Sequence, residues 1–188
     1  MRCNIENDGE ASPAEEPNAA WAKIDWNGNG NNLDLSKLQV GDIILADGVG
    51  GISGLMPGKY EHCAIYIGGG VIVEAMPEGV RYNDYTVCLG SDEAAIYRVS
   101  TTSTKKTAAK NHNIAQVGKP YDYIWMTYWG GKSVYSSSWY CSELNWAGYK
   151  LQGVDIDRHP SFYWKYGFNV APSEIADDYN TYKVAHGY

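Results

Sequence analysis

Short β-branched runs punctuated by glycine fill the chain from Gly41 to Ser100. GDIILA (41–46), HCAIYIG (62–68), GVIVEAM (70–76) and AAIYRV (94–99) have the length and residue types of strands. The pattern then changes. STKKTAAKNHNIAQV (103–117) reads as a helix stopped by Gly118 and Pro120. His112 sits in it with no partner signal and reads as a surface histidine. PYDYIWMTYW (120–129) is aromatic and helical or irregular. After the Ser136–Ser138 loop, CSELNWAGYKL (141–151) sets Leu144, Ala147 and Leu151 on one helical face. A short helix near Ser173–Asp178 and a last strand, TYKVAH (181–186), complete the pattern. Strands followed by helices, with no internal repeat, indicate one mixed α+β domain over residues 35–188.

Residues 1–34 are set apart from that domain. The first twenty are acidic, carry Pro and Ala and almost no large apolar side chain, so they read as a flexible tail. DWNGNGNNLD (25–34) matches the first half of a calcium loop at Asp25, Asn27, Asn29 and Gly30. Asn32 at its eighth position and Ser36 at its twelfth break the match, and a Gly/Asn-rich turn is the expectation.

EHCAIYIGGGVIVEA (61–75) poses the chemical question, because it places a histidine beside a cysteine and adds a lone acid, Glu74. Side chains of consecutive strand residues point to opposite faces, so His62 and Cys63 diverge. Cys63 shares its face with Ile65 and Ile67 and reads as a small core residue. A three-residue loop at Gly68–Gly70 would pair 64 with 74 and make His62 and Glu74 diagonal neighbours on one face. A two-residue loop would move Glu74 to the other face.

Cys141 has the better setting for a nucleophile. At the first turn of a helix, free amides and the helix dipole favour a thiolate and could bind an oxyanion. An imidazole would take the thiol proton, and a carboxylate would orient the imidazole. On residues alone, a buried helix cysteine is the favoured reading. Glu143, in the same turn, reads as a structural complement to the dipole.

Composition narrows the function classes. A net charge of -7 argues against nucleic-acid binding, and no apolar run approaches a membrane span. Sixteen Tyr and seven Trp against two Phe suit a polar ligand. Four cysteines (3, 63, 88 and 141) are too few and too irregular for a disulfide scaffold or zinc site, so no cofactor or metal is expected. Cys63 and Cys88, both in strand-like segments, would be open to disulfide formation in an exported chain.

GDIILA, HCAIYIGGGVIVEA, GKPYDY and WYCSELNWAGY, in this order, resemble the permuted papain-like amidases, the YiiX- and YaeF-like relatives of NlpC-type endopeptidases. Lecithin:retinol acyltransferase is a more distant cousin. The resemblance covers about Leu35 to Gly153. It implies a circularly permuted papain-like fold, a small antiparallel sheet or half-barrel packed against helices, with Cys141 as nucleophile, His62 as base and then acid, and Glu74 as orienting group. Where the acyltransferase branch carries a histidine, this chain has Glu74. Tyr121 and Tyr140 are the implied cleft-lining residues. The implied activity is hydrolysis of an amide in a short peptide, amino-acid conjugate or cell-wall fragment, in an extracellular or cell-envelope setting with any signal peptide outside this chain. A lipid acyl donor and a non-catalytic binding module are the rival readings.

Overall fold

The computed structural model describes residues 23–50, 56–124, 127 and 130–188, so the tail and Cys3 lie outside the described residues. Six antiparallel strands form one sheet in the order β4-β3-β2-β1-β5-β6. They are β1 (Ile43–Asp47), β2 (His62–Gly68), β3 (Val71–Met76), β4 (Gly79–Asp84), β5 (Glu93–Val99) and β6 (Thr181–Gly187). The helices are α1 (Ser103–Ile114), α2 (Cys141–Lys150) and α3 (Pro172–Asp177). The mixed α+β class holds, and the β-branched runs become strands. Cys88, expected in a strand, lies in a 3-10 helix at Tyr85–Gly90.

The central strands of the sheet are buried on both faces. Ile43, Leu45, Cys63, Ile65, Val73, Ala75 and Tyr97 point toward the helices, against Cys141, Leu144 and Ala147 of α2. Ile44, Ala46, Ala64, Ile72 and Ile96 point the other way, against Trp26, Leu33, Val87 and Cys88. This explains why β1 is a continuous apolar run rather than an alternating one. The Gly/Asn-rich segment therefore packs on the sheet. Gly28 and Asn31 donate to the carbonyls of Gly90 and Leu89, and the Asn29 N–H and side-chain amide both reach Asp92. That segment was expected outside the domain. Trp26, 1% exposed, gives it an apolar anchor.

The β2–β3 hairpin combines the two loop lengths weighed from sequence. Ala64 pairs with Glu74 and Tyr66 with Ile72, the register of the longer loop. Gly68 nevertheless pairs with Val71, which leaves Gly69-Gly70 as a two-residue turn. A bulge between Tyr66 and Gly68 absorbs the extra residue. Gly68, Gly69 and Gly70 have φ of 100°, 61° and 79°, which side-chain-bearing residues rarely adopt. The glycine run thus supplies both the tight turn and the bulge.

Helices α1 and α2 approach closely at Gly148, where a Cβ would lie 2.8 Å from Asn113 Oδ1 and 3.0 Å from the Ala109 carbonyl. Beside that contact Asn113 Nδ2 donates to Asn145 Oδ1 at 2.8 Å, fully buried. This pins α2, which carries Cys141, against α1.

Candidate active site

His62, the first residue of β2, and Glu74, in β3, share the sheet face that Trp26 covers. Their diagonal relation lets His62 Nε2 meet Glu74 Oε2 at 2.9 Å, with both side chains wholly buried. A buried carboxylate is costly unless its lone pairs are filled. Here four donors fill them. Trp26 Nε1 donates to Oε2 at 2.9 Å. Arg81 Nε and Asn83 Nδ2 donate to Oε1 at 2.9 and 2.8 Å. Burial would raise the Glu74 pKa, but His62, Arg81 and Asn83 outweigh it and hold the carboxyl down at about 2. Glu74 is thus ionised, which fixes the His62 proton on Nε2 and leaves Nδ1 for the thiol. The Trp26 indole also meets the His62 ring edge-on, with centroids 5.0 Å apart, and so packs against the imidazole on that side.

Cys141 opens α2 and is 2% exposed. Its capping residue, Tyr140, is extended and makes no side-chain cap, so the first-turn amides keep their donor capacity. The Cys141 thiol is held well below its ordinary pKa. The Cys63 thiol and backbone N–H act on its sulfur as donors, and His62 adds hydrogen-bonding and charge attraction, against the opposing effect of burial. Burial likewise opposes charge on His62, yet Cys141 and Glu74 raise its pKa to about 9. Both shifts favour a thiolate at Cys141 beside an imidazolium at His62. Such a pair can attack a carbonyl carbon, protonate the leaving nitrogen and stabilise the oxyanion at the head of α2.

The other sequence candidates fall elsewhere. Tyr140 is fully buried, and its hydroxyl accepts the Val170 N–H at 3.0 Å, so it stands behind Cys141 in the core. Tyr121 is half-buried, bridges to Trp139 by backbone pairing and meets Tyr123 edge-on. Glu143 is not a charged complement to the dipole. Burial pushes its carboxyl up to about 8, and Oε1 accepts the Ser133 N–H at 2.8 Å, which ties down the loop before α2. His112 is half-buried against Trp139 rather than free on the surface. Cys63 and Cys88 lie on opposite faces of the sheet and are both free thiols, so no bridge joins them.

Trp26, Arg81 and Asn83 went unread in the sequence. Arg81 and Asn83 alternate with Val80 and Tyr82 along β4, a period-2 signal that could have marked the strand. No comparable local signal pointed to Trp26. Among the described residues, no group of three or more His, Cys, Asp or Glu could hold a metal ion, and no helix is long and apolar enough to cross a membrane.

Comparison with known proteins agrees with this architecture. Uncharacterized protein YycO of Bacillus subtilis (strain 168) is 30% identical over 119 residues, 62% of this chain. The chain spans 45% of that relative's length. The crystal structure of metalloprotein yiiX from Escherichia coli O157:H7 superposes with a TM-score of 0.61 at 18% identity, covering 79% of this chain and 97% of that one, a likeness of fold. The family model for the permuted papain-like amidase enzymes, YaeF/YiiX, C92 family, matches residues 37–184. From Lys37 to Val184, then, this chain belongs to the permuted papain-like amidases.

Proposed function

We propose that the protein hydrolyses amide bonds through a Cys141 acyl-enzyme, with His62 as proton carrier and Glu74 as the group that orients it. The observation that supports this most is the filled, buried Glu74 carboxylate bonded to His62 Nε2, which leaves the other ring nitrogen, Nδ1, for proton transfer with the neighbouring Cys141. The Cys141 thiolate attacks the amide carbonyl while backbone amides at the head of α2 take the oxyanion. His62 imidazolium gives its Nδ1 proton to the departing amine. The neutral ring then takes a proton from water as that water attacks the thioester, and collapse of the adduct expels the Cys141 thiolate beside the regenerated imidazolium.

The substrate on this reading is a short peptide or amino-acid conjugate, cell-wall fragments included. The Tyr- and Trp-rich, Phe-poor composition supports a polar ligand. The test is a panel of short peptides and N-acyl amino acids, with phospholipid vesicles as a parallel arm. A cleaved amide substrate should lose roughly four to six orders of magnitude in kcat on Cys141→Ala. Retained turnover would refute the assignment, and acyl transfer from vesicles alone would move the activity to lipids.

A further inference from the structure

The acyl-transfer chemistry leaves the side chain of Cys63 without a step of its own. It points from β2 toward the helices, is fully buried, and faces the Cys141 sulfur across the contact between β2 and α2. Asn145, one turn beyond Cys141, clamps the arrangement. Its Nδ2 donates to Cys63 Sγ at 3.2 Å and to the Cys141 carbonyl at 3.0 Å, while Asn113 holds its Oδ1 at 2.8 Å. An apolar residue at 145 would pack in this core without addressing sulfur. Both thiols are free, and their protons are unequally shared. Burial and the neighbouring Cys141 push the Cys63 thiol well above its ordinary pKa, so the proton stays on Cys63 and the negative charge on Cys141. A reactive thiolate with a protonated thiol against it is the arrangement of a dithiol that oxidises in two steps.

We infer that Cys63 and Cys141 form an oxidative modification site, at which a hydroperoxide converts the pair to a disulfide. In the first step the Cys141 thiolate attacks the terminal peroxide oxygen. The O–O bond breaks, the departing alkoxide takes the His62 proton, and Cys141 becomes a sulfenic acid. In the second, the Cys63 sulfur attacks the Cys141 sulfur, its proton leaves with the hydroxide as water, and the S–S bond forms. The two thiols lose two electrons and the peroxide gains them. A small dithiol returns the electrons and both thiols. The consequence is a nucleophile that is silenced reversibly instead of being over-oxidised to a sulfinic acid. This inference rests on Cys141 being a reactive thiolate and not on the acyl group it transfers.

The experiment treats the full chain with hydrogen peroxide at near-equimolar dose, then counts thiols and maps peptides by mass. The expected result is loss of two thiols from monomeric protein, a cross-linked peptide pair holding Cys63 and Cys141, and recovery of both thiols with dithiothreitol. Cys88→Ser should behave like wild type. In Cys63→Ser or Cys63→Ala, a second equivalent of peroxide should carry Cys141 on to sulfinic acid that dithiothreitol does not reverse. If neither variant folds, the wild-type peptide map decides alone. Sulfinic acid at Cys141 beside a reduced Cys63, or a bridge to Cys3 or Cys88, would overturn the inference. A chain that forms this disulfide yet cleaves no amide would sink only the proposed activity.

Discussion

Glu74→Gln is the substitution that most directly tests how the site holds its charge. The carboxylate accepts from Trp26 and His62 on one oxygen and from Arg81 and Asn83 on the other. A glutamine of the same shape has one acceptor oxygen, so its NH2 group must face two donors in either orientation. Asn83 cannot rotate to help. Its oxygen accepts the N–H groups of Ile24 and Asp84, and its nitrogen already donates to the Ile24 carbonyl. Each buried donor left unmet costs about 1–3 kcal/mol. The electrostatic loss adds to this. The rise of His62 from 6.5 to about 9 corresponds to roughly 3 kcal/mol of preference for imidazolium, which Cys141 and Glu74 jointly secure against burial. Without Glu74, burial is less opposed and the His62 pKa falls. The raised histidine favours the charged site below its pKa and loses that support as pH rises through about 9. The alkaline limb of kcat/KM should therefore move down by about one pH unit or more, and the value at neutral pH should fall about 10- to 100-fold. Alkylation of Cys141 by iodoacetamide should show the complementary change, its acid limb moving up as the thiolate loses a full imidazolium neighbour. Thermal denaturation should drop by about 4–12 °C, from roughly 2–3 kcal/mol at 2–4 °C each. Unchanged limbs in both profiles would refute the claim that Glu74 controls the His62 charge.

Three further outcomes follow from the structure. Trp26→Phe keeps an aromatic edge against His62 but removes one donor to Glu74, so kcat should fall by about tenfold or less, with a Tm loss of about 2–4 °C; a variant equal to wild type in both would refute the role. Gly148→Ala forces a methyl group against Asn113 and the Ala109 carbonyl, which should cost about 1–3 kcal/mol in chemical denaturation; an unchanged midpoint would show that the helices yield there. Glu143, raised from 4.5 to about 8, holds its proton in the folded state across that range, so its contribution is intact below 4.5 and is lost as pH rises through about 8. Glu143→Gln should therefore shrink the Tm difference between pH 5 and pH 8.5, and an unaltered difference would refute the shift.

What could be read in the sequence was what repeats along a local period. The β-branched runs marked β1, β2, β3 and β5 because both faces of the sheet are buried there, and TYKVAH marked the edge strand β6; the helix-opening position of Cys141 followed from its apolar spacing. β4 escaped because its alternate positions, Arg81 and Asn83, are polar groups that serve Glu74, so the strand does not look hydrophobic. The period-2 rule assigned Cys63 correctly to the face opposite Glu74, but could not show that Cys141 abuts that face. Hairpin register was underdetermined for a similar reason. Loop length and side-chain face are independent once a bulge is allowed, and three successive glycines permit either. Trp26 is the clearest omission. Its bond to Glu74 spans 48 residues, and nothing in a run of Asn and Gly announces a buried indole donor.

That indole separates two quantities usually treated as one, the stretch a family shares and the smallest chain able to work. The family match begins at Lys37, yet one of the four hydrogen bonds to Glu74 comes from a residue eleven positions earlier. A protein trimmed to the shared stretch would keep the sheet and the packing of α1 and α2. It would also lose the cover over His62 and Glu74, so water would reach the carboxylate and its grip on the imidazole would slacken. On the proposed chemistry, the smallest unit able to work therefore starts upstream of the shared stretch, and residues 26–36 belong to the support of the site.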